Sequence, residues 1–259
     1  MAAGWQGWKR IVRKPLELEL FNGMHFRAYP DCACSSSAVY SKIPNSRYVK
    51  FLRNHAERGT FLDVGANVGM ISTLLADTVQ HALLFEPNPV AAARARENIK
   101  INQLSFEVYE IALSDETGTI AFEDLGGVHT CNRTVSGFST TSRTITVPRT
   151  TFDRFLAERG PLENPVTLVK IDVEGHENWV LRGMRQLLVE QRPIVMFEYL
   201  QRTNLKETFD TFAGVDYRIM ILSREGELTL APVNPPPLQD LLAVPSERAR
   251  ALTRSSAAA

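Results

Sequence analysis

The sequence predicts an α/β protein built on a mostly parallel sheet, and three observations carry that expectation. From residue 60 the chain alternates short apolar runs with helical stretches, through TFLDV, MISTLLADT, HALLFE, AAARARENI and SFEVYEIAL. Such β-α-β-α-β alternation belongs to parallel strands joined by right-handed crossovers. The glycine-rich segment FLDVGANVGM joins the first of these strands to its helix, where open α/β sheets place a ligand-binding turn. Two more apolar runs, PVTLVKIDV and PIVMFEYL, flank the amphipathic stretch HENWVLRGMRQLL, which continues the same rhythm.

Taken in order, residues 1–55 form an N-terminal extension. In it LELEL alternates apolar and polar residues, FNG supplies a bend and MHFRAYP resumes the run, which predicts a β-hairpin turning at Asn22-Gly23. Residues 56–231 form the main domain. After its first strand, MISTLLADT places Ile71, Leu74 and Leu75 on one helical face. Asn88 caps the next helix, whose first residue is Pro89, where a missing N–H costs little.

SFEVYEIAL is read as a third strand. A polar insertion at about 124–147, rich in Ser and Thr, then interrupts the pattern, and loops set on a rigid sheet often bind substrate. TVPRTTFDRFLAERG gives a short strand and a helix. PVTLVKIDV is a fourth strand, buried, and the following helix turns Val180, Leu181, Met184, Leu187 and Leu188 inward. PIVMFEYL is the fifth strand, and YRIMIL with ELTLA closes the sheet as an antiparallel pair about Arg224-Glu225-Gly226. The proline-bearing tail, 232–259, is expected to be loosely ordered.

Lys plus Arg and Asp plus Glu number 29 each, so no net field draws the chain to nucleic acid or an anionic membrane. No apolar run approaches the roughly 18 residues of a spanning helix, and the basic start MAAGWQGWKRIVRKP lacks a secretory core. A cytoplasmic protein is the simplest expectation. Cys32, Cys34 and Cys131 cannot all pair, and two thiols two residues apart do not make a metal site without further ligands.

In the glycine-rich turn, Asp63-x-Gly65-x-Asn67-x-Gly69 lets the backbone pass close to a ligand. Its glycines are four apart, unlike the dinucleotide fingerprint, so a pyrophosphate fits it poorly. Glu86 ends the second strand, 23 residues after Asp63, where a carboxylate accepts hydrogen bonds from both hydroxyls of a ribose. Adenosine without phosphates suits this pair of features. The structural alternative is that Gly65 and Gly69 serve helix–strand packing and Glu86 is a solvated strand end.

With these residues in place the chain resembles the FkbM family of S-adenosylmethionine-dependent methyltransferases. The resemblance lies in FLDVGANVGMIS, LLFEPNP, ENIKIN, IALSDETGTIAF, TTFDRFL, LVKIDVEGHENWVLRG and PIVMFEY, over roughly residues 58–200. It implies a Rossmann-like class I methyltransferase fold with a seven-stranded sheet whose last strand is antiparallel. It also implies S-adenosyl-L-methionine as cofactor and transfer to a hydroxyl of a sugar, glycan or small natural product. By the same resemblance Gly65, Asn67 and Gly69 line the methionine end, Glu86 holds the ribose and Ala112 to Asp115 border the adenine. Asp63, Asn88 and Asp172 complete the expected cofactor set.

The segment LVKIDVEGHENWV ends a buried strand in Asp172, Glu174, His176 and Glu177. Alternation puts Lys170, Asp172 and Glu174 on one side, opening toward the crevice of the glycine turn. Transfer to a hydroxyl needs a proton acceptor, and the candidates are Asp172, Glu174, His176 and Glu198, with His176 and Glu174 favoured because histidine titrates near neutrality. Glu177 fits better as a helix N-terminal acid. No metal is expected, although Asp172, Glu174 and His176 are residue types that suit Mg²⁺ or Mn²⁺.

His129 and Cys131 in the insertion are weaker candidates, the Asn132-Arg133-Thr134 sequon is read as incidental, and Asn234-Pro235-Pro236 lacks the aromatic of an amino-methyltransferase motif. The alternatives are an N- or C-methyltransferase and a cofactor-binding module without catalysis. The acceptor and the oligomeric state stay open.

Overall fold

The computed structural model describes residues 2–40, 46–124, 143–200, 204–236 and 239–256. The middle of the expected insertion, with His129, Cys131 and the Asn132 sequon, lies outside the described residues.

Helix α1 (Ala2–Ile11) leads into strands β1 (Leu16–Glu19) and β2 (His25–Ala28). They pair antiparallel, Leu16 opposite Ala28, about a bend whose Gly23 has φ +76. This is the predicted hairpin. It is tied to the main domain by its polar groups: Asn22 Nδ2 donates to the Thr73 carbonyl at 2.9 Å, and the Arg27 amide donates to Asn98 Oδ1 at 2.7 Å. Helices α2 (Ala33–Val39) and α3 (Arg47–Asn54) follow, the second capped by Ser46, whose hydroxyl accepts from the Tyr48 amide.

The main domain runs β3 (Thr60–Val64), α4 (Met70–Leu75), β4 (His81–Phe85), α5 (Pro89–Ile101) and β5 (Glu107–Tyr109). Asn88 caps α5 as its position predicts, its Oδ1 accepting from the amides of Val90 and Ala91. The third expected strand is divided: β5 stays in the main sheet, while β6 (Ala112–Leu113) joins β7 (Gly118–Asp124) and β8 (Arg143–Thr150) in a separate three-stranded sheet. Then come α6 (Phe152–Arg159), β9 (Val166–Ile171), α7 (Glu177–Gly183), α8 (Arg185–Glu190) and β10 (Ile194–Tyr199). The single helix expected after β9 is thus two, broken at Met184, yet all five residues expected to face inward are buried. The chain finishes with α9 (Leu205–Ala213), β11 (Tyr217–Leu222), β12 (Leu228–Leu230), β13 (Gln239–Pro245) and α10 (Ser246–Ser256).

The main sheet has the order β12-β11-β13-β10-β9-β3-β4-β5. Strands β5, β4, β3, β9 and β10 are mutually parallel, and β13 is antiparallel to both its neighbours, β10 and β11. This is the doubly wound, Rossmann-like α/β architecture, with two corrections. The sheet has eight strands instead of seven, because β12 adds an outer edge to β11. The tail is not loose, because residues 239–256 supply β13 inside the sheet and α10 on it. Leu241, Leu242, Ala243 and Val244 are buried there, and this burial together with ladders on both sides outweighs the local disorder signal of the prolines.

Apolar clusters cover both faces of the sheet. Val64, Val169, Ile171, Phe197 and Leu241 pack on one face, Phe61, Leu84, Leu168, Met196 and Leu242 on the other. A third cluster joins the N-terminal extension to α4 and α5 through Phe26, Leu74 and Ala91. No helix among the described residues is long and apolar enough to cross a membrane.

Candidate functional site

The strand order reverses between β3 and β9, and in doubly wound sheets such a switch point opens a crevice at the carboxyl ends of the strands. A cavity of about 420 Å³ lies there. Its floor is the turn after β3, where the amides of Gly65 and Ala66 donate to the Phe85 carbonyl and that of Asp172 to the Val64 carbonyl. Gly65 has φ +74, and a β-carbon on it would stand 1.9 Å from the Asp172 carbonyl oxygen. Only glycine lets the turn close against the end of β9.

Glu86 is 8% exposed and lines the cavity. Its Oε2 accepts from the Asn67 amide and its Oε1 from the Asn88 amide, each at 2.8 Å. Burial pushes its carboxyl up to about 7, against the lowering effect of those two bonds. It therefore fixes the turn and presents a carboxyl to the cavity. Asn88 also borders the cavity, but its side chain is spent on the α5 cap.

Lys170 is 7% exposed, and its Nζ donates to the Gly65 carbonyl at 2.7 Å, with Asp172 Oδ2 at 3.4 Å and Asp63 Oδ1 at 3.5 Å. Burial alone would lower this ammonium; the Asp172 and Asp63 carboxylates outweigh it and hold it above its ordinary value. Lys170 is thus the neutralising partner that the apolar strand requires. Asp63 is fully buried and accepts from Ser72 Oγ at 2.7 Å. It braces α4 against β3 from behind the cavity wall.

The side of the cavity formed by the ends of β9, β10 and β13 is acidic. Beyond β9, Asp172 enters a tight turn in which Glu174 has φ +55 and Gly175 φ +103. Glu198 on β10 lies directly opposite Asp240 on β13 in the antiparallel register. Asp172, Glu174, Glu198 and Asp240 all line the cavity. Burial, then the carboxylates of Asp172, Glu174 and Asp240, pushes Glu198 up to about 8. Burial and then Asp172 pushes Asp240 up to about 6. Glu198 Oε2 is closed to solvent without a hydrogen-bond partner among the described residues.

His176 also lines the cavity, with its Nε2 3.0 Å from Ser114 Oγ and its ring stacked on Trp179 at 4.8 Å. Burial pushes it down to about 4, so it is neutral and a weak base at pH 7. Glu177 accepts from the Gly175 amide at 3.0 Å, in keeping with its reading as a helix N-terminal acid.

The structure therefore brings together Gly65, Asn67, Glu86, Asn88, Ala112, Asp172, Glu174, His176 and Glu198 around one cavity. Three expected cofactor residues stand off it. Asp63 and Gly69 shape the turn from behind, Gly69 packing toward Leu84 and Ala95, and Asp115 pairs with Arg182 at 3.0 Å. Sequence reasoning missed Asp240 and the walls from the N-terminal extension, Cys34 on α2 and Tyr48 on α3. The Tyr48 hydroxyl donates to the Asp240 carbonyl at 2.5 Å, a contact across 192 positions that no local pattern announces. Burial and the neighbouring Cys32 push the Cys34 thiol up, away from reactive thiolate character.

The hexuronic acid methyltransferase AglP of Haloferax volcanii is 33% identical over 141 residues, which cover 54% of this chain and 56% of that protein. The chain thus aligns with little more than half the length of this curated relative. Among solved structures, the methyltransferase FkbM from Methylobacillus flagellatus KT is 13% identical, with 73% of this chain and 44% of that chain covered and a TM-score of 0.49. The Pyrococcus abyssi tRNA (uracil-54, C5)-methyltransferase, solved with S-adenosyl-L-homocysteine, is 15% identical, covers 89% of this chain and 44% of its own, and has a TM-score of 0.46. A sequence profile of the methyltransferase FkbM domain matches residues 63–221, a span that starts at Asp63 and takes in the glycine turn, Glu86 and the acidic ends of β9 and β10. The chain belongs to the methyltransferase FkbM domain family.

Proposed function

We propose that this chain is an S-adenosylmethionine-dependent methyltransferase acting on a hydroxyl oxygen of a sugar, a glycan or another small natural product. The observation that carries the reading is Glu86, a buried carboxyl held by the amides of Asn67 and Asn88 at the edge of a cavity that also meets Asp172. When bound, S-adenosylmethionine supplies a methyl group on a positively charged sulfur. Each Glu86 oxygen keeps a lone pair beyond the one its amide uses, which suits the two hydroxyls of a ribose. Phe85, Ile111, Ala112 and Leu113 offer an apolar wall for the base. Gly65 and Asn67 leave room beside the turn, and the Asp172 carboxylate favours a positive centre near the end of β9.

On the acceptor side we assign proton removal to Asp240. Its carboxylate opens to the cavity and has no hydrogen bond or ion pair among the described residues, so it is available to a hydroxyl. His176 is less suited, since burial lowers its basicity and its Nε2 is engaged with Ser114. The sugar class is supported by the relative named as a hexuronic acid methyltransferase.

Calorimetric titration of the purified chain with S-adenosylhomocysteine, with NADH as comparison, tests the reading. Binding of S-adenosylhomocysteine alone is expected; a folded sample that binds neither, or only NADH, overturns it.

A further inference from the structure

We propose that Asp172, Glu174 and Glu198 form a binding site for a hard divalent cation of the Mg²⁺ or Mn²⁺ kind. One carboxylate oxygen from each residue lies within 4.8 Å of the others. The three come from separate places: Asp172 follows β9, Glu174 sits in the left-handed turn behind it, and Glu198 is near the end of β10.

Two further observations point to a missing partner. Glu198 Oε2 is shut away from solvent and accepts no hydrogen bond among the described residues. Asp240, set opposite Glu198 across β10 and β13, is desolvated by the protein around it and lines this cavity, with no hydrogen bond or ion pair of its carboxylate among the described residues. Two carboxylates that face each other as Glu198 and Asp240 do repel one another and are costly unless a cation or protons compensate them.

Lys170 compensates Asp172 alone among the three ligands. Its Nζ is committed to the Gly65 carbonyl, Asp63 and Asp172. An oxygen-only donor set selects hard cations over the metals that prefer thiolate or imidazole. His176, whose Nε2 is directed to Ser114, stands outside the group.

Such a cation keeps coordination positions for oxygens that the protein does not supply. An acceptor with two adjacent oxygens, a vicinal diol or a hydroxy acid, would fill them. The cation site stands on the carboxylates alone, whereas this narrowing of the acceptor rests on the methyltransferase reading.

The test is titration of Mn²⁺ alone into the full chain, followed by the loss of the free-Mn²⁺ paramagnetic resonance signal, with S-adenosylhomocysteine calorimetry on the same samples. Wild type is expected to bind one Mn²⁺ per chain. Glu198→Gln and Glu174→Gln, still binding S-adenosylhomocysteine, are each expected to lose at least about tenfold in Mn²⁺ affinity. Wild type that binds S-adenosylhomocysteine but shows no saturable Mn²⁺ binding overturns the cation site, as does equal binding by both variants. Wild type that binds Mn²⁺ but not S-adenosylhomocysteine supports the cation site and overturns the methyltransferase reading.

Discussion

The Asn67 amide donates to Glu86 Oε2 at 2.8 Å, so the turn that follows β3 and the acid that ends β4 are one hydrogen-bonded unit. Replacing the acid therefore disturbs both. Glu86→Ala is expected to weaken S-adenosylhomocysteine binding by more than about tenfold, through the loss of two charged hydrogen bonds of about 1.5–3 kcal/mol each. It is also expected to lower stability, because two enclosed amides lose their acceptor. Calorimetry and a urea titration read the two effects; unchanged affinity would remove Glu86 from the cofactor site.

The same residue sets a pH dependence with two opposed slopes. Its carboxyl titrates at about 7 in the folded chain, against an ordinary value of 4.5. Between these values the folded state holds a proton that the unfolded state has released, so this group's contribution to stability falls as pH rises through that window. Binding of ribose hydroxyls favours the ionised acid, so S-adenosylhomocysteine affinity rises over the same range and levels off above about 7. Titrations from about pH 5.5 to about pH 8 are expected to show both slopes, and Glu86→Gln to flatten both.

Gly65→Ala meets a positive φ and a carbonyl oxygen 1.9 Å from the new carbon. Backbone strain and overpacking act together here, and a loss of at least about 2 kcal/mol is expected. The urea midpoint measures it. A change below about 0.5 kcal/mol, the range of ordinary surface substitutions, would show that the turn and β9 separate easily.

Lys170→Met leaves Asp63 buried without its cation. Breaking such a pair costs about 3–5 kcal/mol. Adding Asp63→Asn is expected to restore part of the loss, and thermal unfolding of the single and double variants checks the coupling.

Asp240→Asn keeps the shape of this wall of the cavity and removes the carboxylate proposed to take the proton. Turnover is expected to fall by about 10² to 10⁴ while S-adenosylhomocysteine affinity stays unchanged. Equal losses in both would make Asp240 a structural residue.

What was legible in the sequence follows the range of the forces involved. The Asn88 cap, the Asn22-Gly23 hairpin and the turn about Gly65 depend on residues a few positions apart, and each stands where its local pattern placed it. The inward face of α7 and α8 was readable because apolar spacing survives the break at Met184. The strand QDLLAVP was not, since nothing near it specifies a strand and its pairing with β10 and β11 is tertiary. Missing it also hid Asp240, whose neighbour Glu198 lies 42 positions earlier. Asp63 was legible as part of the turn, but only packing decides that its carboxylate looks inward to Ser72 and Lys170 instead of out to the cavity.

The placement of β13 between β10 and β11 also orders events during synthesis. Strand β11 has no neighbour on the β10 side until residues 239–245 have left the ribosome, and a domain folds as a unit. A nascent chain that has completed the glycine turn and Glu86 therefore still has an open sheet and no Asp240. The glycine turn and Glu86 come from segments synthesised early, whereas Asp240 is added to the cavity wall by the last strand. A chain stopped short of that strand keeps the glycine turn and Glu86 but lacks Asp240 and the ladders on both sides of β13.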